Sequence, residues 1–184
     1  MRSDSTAARF WLDLAARDRY IFRAMAELVV TTYTSLKFVH VLSAVVWVGG
    51  ACTLQAFAIR ISASGDGLRM ATFAKDAEYV GNRIFLPSSI ILLVSGIFTI
   101  HESSGAWSYS QTWVQIGLAM IVVSIAIGAG FIGPEAGRVA RAIEQHGPAS
   151  NEATHHIDRI FLVSRIELVL LLLVIFDMVT KPGI

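Results

Sequence analysis

The stretch LKFVHVLSAVVWVGG, residues 36–50, places one histidine inside an otherwise apolar run. On a helix, His40 and Trp47 share one face, with Gly50 beside them. An imidazole on such a face can be an axial ligand of haem iron, with glycine giving clearance and tryptophan packing on the porphyrin edge. The alternative is a histidine hydrogen-bonded to a neighbouring helix. The residue types and their spacing leave both interpretations open.

This face belongs to a hydrophobic segment that is long enough to span a membrane. Residues 38–57, 84–100 and 114–132 carry no formal charge, and about twenty apolar residues span a bilayer as a helix. A fourth apolar segment, 160–179, contains Arg165, Glu167 and Asp177. We therefore expect an all-α integral membrane protein, an antiparallel four-helix bundle over residues 33–184 with spans at about 36–59, 84–101, 113–132 and 158–180.

The composition supports this expectation. Only 16% of the residues are charged, whereas a soluble domain has about 25%. A net charge of +1 indicates no nucleic-acid partner, and the lipid bilayer is the expected environment. The single cysteine, Cys52, excludes an intrachain disulfide and argues against a cysteine-based metal site.

Residues 1–32 differ from the rest because arginines and acidic residues alternate with apolar and aromatic ones. This segment lacks the uninterrupted apolar region of a secretory signal. It is typical of an amphipathic helix that lies on the membrane surface. A flexible tail is the alternative.

The loop charges predict the orientation of the chain. The loops at 60–83 and 133–159 contain several arginines, whereas residues 101–113 contain no Lys or Arg. The positive-inside rule then places the first and third loops in the cytoplasm and both termini outside.

Antiparallel threading of four spans should gather the polar residues into two layers. One layer contains Lys37, His40, His101, Gln115 and Asp177, and the other contains Gln55, Arg83, Arg165 and Glu167. Ionisable residues in membrane helices usually face the bundle interior. We expect Arg165 and Glu167 to be buried, with Arg83 as the partner of Glu167. A structural ion pair is the simpler interpretation, and a proton or substrate path is the alternative.

The third span contains GAGFIG, Gly128 to Gly133, which matches the dinucleotide-binding fingerprint. We reject that match, because the fingerprint requires a preceding strand and these glycines lie inside a membrane helix. Pairs of small residues four apart in this span favour close helix packing instead.

Several short motifs resemble a known family. LKFVHVLSAVVWVGG is similar to the first span of the HemJ-type protoporphyrinogen oxidases and of the related CopD copper-resistance membrane domains. Further similarity lies in RIFLPSSIILLVSGIFTI, WVQIGLAM, GRVARAI and DMVTKPG, so the resemblance covers residues 33–183. It implies a multi-pass protein of a bacterial cytoplasmic membrane.

The resemblance implies that His40 binds haem b, with Lys37 near a propionate and His101 as the first choice for a second ligand. Gln115 and Gly117 stand where the oxidases have a histidine and a lysine, which argues against oxidase activity. Copper prefers Met, Cys and His ligands, and the chain offers only Cys52 and scattered methionines.

Two functional hypotheses follow. The first is a haem-binding or redox-linked role centred on His40, Lys37, Trp47, Gly50 and His101, which would require a membrane redox partner. The second is a non-enzymatic membrane subunit or small transporter without a cofactor, in which Arg165 and Glu167 matter more than His40.

Overall fold

The computed structural model describes residues 17, 19–21 and 31–183, and this part of the chain is helical without strands. The helices are α1 (Thr32–Ser64), α2 (Gly67–Val80), α3 (Leu86–His101), α4 (Thr112–Ile127), α5 (Gly133–His146) and α6 (Asn151–Thr180). The amphipathic helix expected over residues 1–32 falls almost entirely outside the described residues.

The helix starts follow from local side-chain chemistry. Thr31, Asp66 and Ser150 each accept a hydrogen bond from the backbone N–H three residues later, at 3.1, 3.0 and 3.2 Å. These short polar side chains satisfy N–H groups that the first helical turn leaves unpaired. Gly65 ends α1 with a φ of 69°, a backbone conformation that favours glycine.

Two of the long helices are continuous across a π-helical turn. The first π turn, Gly81–Phe85, joins α2 to α3, and the second, Gly128–Ile132, joins α4 to α5. The resulting helices have 35 residues each, about 50 Å at 1.5 Å per residue. They are longer than the bilayer core of about 30 Å, so they extend beyond it.

Each π turn is followed two residues later by a proline, Pro87 or Pro134. Proline has no N–H to donate, so it interrupts the hydrogen bonding of an α-helix. The chain responds with wider turns, in which Leu86 donates to the carbonyl of Gly81, and Gly133 to that of Gly128. Such turns often occur where helices contribute to functional sites.

Within the described ranges, three helices are long and apolar enough to cross a membrane: Thr32–Ser64, Gly67–His101 and Thr112–His146. Large apolar side chains such as Phe38, Val45 and Val122 point outward and are more than half exposed. That outward apolar surface is what a lipid environment requires, whereas it would be a liability in water. The predicted first three spans thus fall within these helices.

The helices pack in two pairs around two cores. α1 packs mainly on α3, and α4 mainly on α6, with further contacts from α1 to α6 and from α3 to α4. The first core lies between these helices and consists of Trp47, Val48, Leu92, Ile121 and Leu171. The second lies in what we call the cap, formed by α2, α5, the end of α1 and the start of α6. The cap core consists of Ile61, Met70, Ala71, Ala74, Val139, Ala140, Ala142, Ile143 and Ala153.

Candidate ligand-binding cavity

A cavity of about 160 Å³ lies between the helix pairs and reaches from the Trp47 core into the cap. Its walls are mostly apolar. Its polar lining residues are Gln55, Asn82, Ser89, Ser164 and Glu167. Among the described residues that line it, Glu167 is the only titratable one. A concave, largely apolar space with a few converging polar groups is the usual form of a small-molecule site.

Glu167 is deeply buried, with 6% of its surface exposed. Neither carboxyl oxygen has a hydrogen-bond partner within the described part of the chain. The hydroxyl of Ser124, on α4, lies near this carboxyl group, but the two groups are not placed to form a hydrogen bond. Buried polar groups are paired in most proteins, so an unpaired carboxyl in a cavity indicates a missing partner or a functional role.

The amide of Gln55 also lines the cavity and is only half satisfied. Its Oε1 accepts a hydrogen bond from the hydroxyl of Ser164 at 3.0 Å, which joins α1 to α6. Its Nε2 has no partner among the described residues. Within the described ranges the cavity therefore contains both an unpaired donor and an unpaired acid, and such groups can bind a polar group of a ligand.

The two π turns both line this cavity and contact each other. The first contributes Gly81 and Phe85, and the second contributes Gly128 and Ile132. The sequence signal for this feature is the repeated spacing of glycine and proline, Gly81 to Pro87 and Gly128 to Pro134. The GAGFIG motif thus forms the second π turn and part of the cavity wall.

His40 lies on the neighbouring part of α1 and is held by α3. Its Nδ1 donates a hydrogen bond to the carbonyl oxygen of Leu92 at 2.8 Å. Its ring lies in the space beside Gly96, where a Cβ would come within 2.9 Å of its Cε1. The hydrogen bond to a neighbouring helix, one of the two interpretations drawn from the sequence, is therefore present. It leaves Nε2 as the acceptor nitrogen.

The other residues expected around a haem are not gathered into a pocket at His40. A Cβ on Gly50 would lie 2.5 Å from Cε1 of Phe85, so the Phe85 ring fills the clearance expected there. Trp47 is buried in the apolar core and lines the cavity instead. Lys37 and His101 are exposed. The donor chemistry of His40 suits haem iron, but the residues around it are packed on protein.

The structure differs from the expectation for the buried arginines. Arg83 and Arg165 are both exposed, and neither pairs with Glu167. Arg165 lies over the ring of Phe161 at 5.9 Å, on the outer side of α6. A long arginine side chain can reach the bilayer interface with its charge, whereas the shorter Glu167 cannot. Of Arg83, Arg165 and Glu167, only Glu167 is buried.

The polar layer at the opposite end is only partly assembled. Asp177 is buried, with Oδ2 unpaired, and lies where a Cβ on Gly117 would meet that oxygen at 3.2 Å. Lys181 does not pair with Asp177. Its Nζ lies 3.7 Å from the centroid of the Trp107 ring, a favourable cation–π contact.

Sequence reasoning missed Glu135, which is fully buried at the start of α5 beyond the third apolar segment. It accepts hydrogen bonds from Arg138 and from Nδ1 of His156, both at 2.7 Å, and Arg159 is 4.0 Å away. Burial by itself raises the pKa of Glu135, but the bonds from His156 and Arg138 and the charge of Arg159 hold it below its ordinary value. This cluster attaches α5 to α6. The available signal was an acidic residue directly after Pro134, with an arginine three positions later.

No group of three or more His, Cys, Asp or Glu residues able to hold a metal ion occurs in the described ranges. His156 instead pairs with Glu135, and His146 with Glu152 at 3.1 Å. These contacts are structural.

Long apolar helices with outward apolar faces define a multi-pass integral membrane protein. Residues 34–182 match the family described as "Predicted integral membrane protein (DUF2269)", and the chain belongs to that family. The match supports a membrane protein family but does not confirm the finer resemblance to HemJ or CopD proteins. No curated protein and no solved structure matches this chain.

Proposed function

We propose that this protein binds a small, largely apolar molecule in the cavity beside Glu167. The observation that carries the proposal is an interhelical cavity in which, among the described residues, the one titratable lining side chain is buried and unpaired. Burying such a group without a partner costs free energy of folding, so its presence in the cavity favours a functional role. A small transporter or a ligand-binding membrane subunit fits this geometry.

The proposal includes a fourth span. The helix α6 has 30 residues and packs on α4 and α1, and its apolar part is long enough to cross a bilayer. With four spans, the arginines of the cap lie in the cytoplasm by the positive-inside rule. The cavity would then reach toward the cytoplasmic face of a bacterial inner membrane, the location that the HemJ- and CopD-like motifs imply.

Photolabelling in lipid nanodiscs tests the ligand site. The probe is 3-azioctanol, which carries a photoreactive diazirine, and adducts are mapped by peptide mass spectrometry. We expect adducts on cavity residues such as Gln55 and Phe161, and we expect excess 1-octanol to suppress them. The outward-facing Val122 and Val169 report labelling by probe dissolved in the bilayer, and the cavity labelling is compared with this background.

A matched pair of glycine variants provides the control. Gly128 lines the cavity and Gly130 does not, yet a Cβ meets nothing within 4 Å at either position. Gly128→Leu should lower cavity labelling about tenfold by filling space that the probe would occupy, and Gly130→Leu should leave it unchanged. Equal labelling of both variants and the parent would show that the cavity does not bind the probe.

Haem b ligation by His40 is the second candidate function. The hydrogen bond from Nδ1 to the Leu92 carbonyl favours it, because protein ligands of metals commonly donate their second ring N–H to an acceptor. His40 would supply the axial ligand through Nε2, with Lys37 near a propionate and His101 as second ligand. A haem held there would provide one-electron chemistry to a membrane redox partner.

Absorption spectroscopy tests the second candidate. Protein produced with an adequate haem supply should show a Soret band if the candidate is right. The His40→Ala variant should lose this band while still inserting, and Lys37→Ala should retain haem more weakly, because only a charge contact is removed. A parent protein that stays colourless after reconstitution with haem would remove haem from consideration.

A further inference from the structure

We propose that the cavity takes an organic cation, a protonated amine on an apolar body, whose ammonium group pairs with Glu167 in exchange for a proton. This inference rests on the proposed ligand-binding role of the cavity. It assigns a chemical class to the ligand and a specific task to one side chain.

The apolar surroundings of Glu167 limit its charge state. An ionised carboxylate without a partner in an apolar interior carries a large desolvation penalty. Among the residues that the structure describes, neither oxygen of Glu167 has a hydrogen-bond partner, and the residue is 6% exposed. The side chain is therefore stable either as the neutral acid or as a carboxylate paired with a cation.

The described part of the chain supplies no cation to Glu167. Arg165, two residues away on α6, is exposed, with its guanidinium carbon 5.9 Å from the centroid of the Phe161 ring, and Arg83 is also exposed. The lining residues from α1 to α6 and from both π turns contain no titratable group except Glu167 within the described ranges. With no cation beside Glu167 in the described ranges, a cationic ligand is the partner that we assign to the carboxylate.

The apolar walls of the cavity favour an apolar body for the rest of the ligand. The cavity walls beyond Glu167 are formed mainly by side chains such as Trp47, Phe73 and Phe161. A strongly hydrated inorganic ion would gain little there, whereas an amine with an alkyl or aromatic body would bury apolar surface. Gln55 Oε1, which lines the cavity, can accept one of the remaining ammonium hydrogens. An anionic ligand would meet the like charge of Glu167 once that group is ionised.

The exchange balances in protons and charge. The O–H bond of the Glu167 acid breaks, the proton passes to water, and an ammonium N–H donates to the carboxylate in its place. One proton is released for each cation bound, and the net charge of the cavity stays constant. This constancy makes the step feasible in a low-dielectric environment, because no unpaired charge is formed.

Competition against 3-azioctanol labelling tests the ligand class with three molecules that share one chain: n-octylammonium, 1-octanol and octanoate. We expect octylammonium to suppress cavity adducts at a concentration about tenfold or more below that of 1-octanol, because hydrogen bonds between charged groups are stronger than neutral ones. Octanoate should compete least. The potency of octylammonium should rise with pH, by up to about tenfold per unit, because a proton is displaced.

Glu167→Gln and Asp177→Asn form a matched pair of variants for this test. Both replace a buried carboxyl on α6 by an amide of the same shape, but Asp177 does not line the cavity. The first variant should remove the advantage of octylammonium over 1-octanol, and the second should keep it. Proton release by the parent protein, measured with a pH indicator in weak buffer, gives a readout that needs no variant. Octylammonium should release protons and 1-octanol should release none.

The outcomes separate the inference from the function on which it rests. If 1-octanol competes and Gly128→Leu lowers cavity labelling as expected, but octylammonium is no stronger and releases no proton, the cavity binds ligands without the exchange and the inference is overturned. If no cavity adduct forms with any probe, the ligand-binding function itself is wrong.

Discussion

The Nδ1 atom of His40 lies 2.8 Å from the carbonyl oxygen of Leu92, and this hydrogen bond joins α1 to α3 inside the apolar bundle. The hydroxyl of Ser95, on α3, also donates a hydrogen bond to the carbonyl oxygen of Leu92, at 3.2 Å. His40 and Ser95 are thus both satisfied by one backbone carbonyl. Within the described part of the chain the carboxyl of Glu167 has no hydrogen-bond partner, and this observation supports the function that we propose for the cavity.

The glycine beside His40 should be sensitive to a single added methyl group. In Gly96→Ala the new Cβ would lie 2.9 Å from Cε1 and 3.0 Å from Nδ1 of His40, so the ring must move away from Leu92. We expect a loss of about 1–3 kcal/mol in the free energy of unfolding, the usual effect of overpacking. Gly49→Ala is the control, because a Cβ there meets nothing within 4 Å. Unfolding in detergent should separate the two variants, and equal stability would contradict the packing described for His40.

Replacement of Glu167 by methionine should preserve or raise the stability of the bundle. The carboxyl has no hydrogen-bond partner in the described ranges, and apolar residues of similar volume often stabilise a site that held a buried charge. This outcome is the reverse of the effect expected if Arg83 were its partner. Thermal unfolding in detergent measures it, with Leu168→Ala as a control that should destabilise by loss of apolar packing. A Glu167→Met protein that unfolds at a clearly lower temperature than the parent would mean that the carboxyl has a structural partner.

The cluster around Glu135 predicts sensitivity to acid. Because its pKa is lower in the folded protein than its ordinary value, its contribution to stability is complete above the unfolded pKa of about 4.3. That contribution is lost as the pH falls through the still lower folded pKa. Parent protein should therefore lose thermal stability on acidification below this range, whereas Glu135→Gln should be less stable at neutral pH and show a weaker acid dependence.

The matched control for Glu135 is Glu144→Gln on the same helix. Glu144 pairs with Lys75, but both side chains are about half exposed, and exposed ion pairs contribute about 0–1 kcal/mol. Its replacement should change stability little at any pH. A Glu135→Gln variant with the same profile as Glu144→Gln would refute the structural role given to the cluster.

Reporter fusions test the orientation. Gly65, Ser104 and Gly147 lie between helices and have positive φ values of 69°, 53° and 86°, and such loop tips tolerate insertions. We expect the fusions at Gly65 and Gly147 to report from the cytoplasm and the fusion at Ser104 from outside. A cytoplasmic signal at Ser104 would reverse the orientation, and signals on one side at all three positions would contradict the number of spans.

The amino-acid sequence by itself determined the membrane class and the approximate position of the helices. Charge-free runs are a local property, and each of the first three predicted spans lies within one helix. The helices α2 and α5 lie in the segments 60–83 and 133–159, for which the sequence analysis used only the loop charges. Each π turn begins at a glycine that lies six residues before a proline, Gly81 before Pro87 and Gly128 before Pro134. This spacing does not show which helices will pack against the turns.

Only the tertiary structure decided which polar groups are buried together and which remain unpaired. Arg165 and Glu167 are two residues apart in one apolar segment, yet Arg165 lies at the outer surface and Glu167 in the cavity. Gly50 provides space for Phe85, and Gly96 for His40. These outcomes depend on the rotation and register of helices distant in sequence, and hydropathy does not specify either. Each lipid-facing and protein-facing position is similarly apolar, so the identity of a neighbour is fixed only when the helices pack.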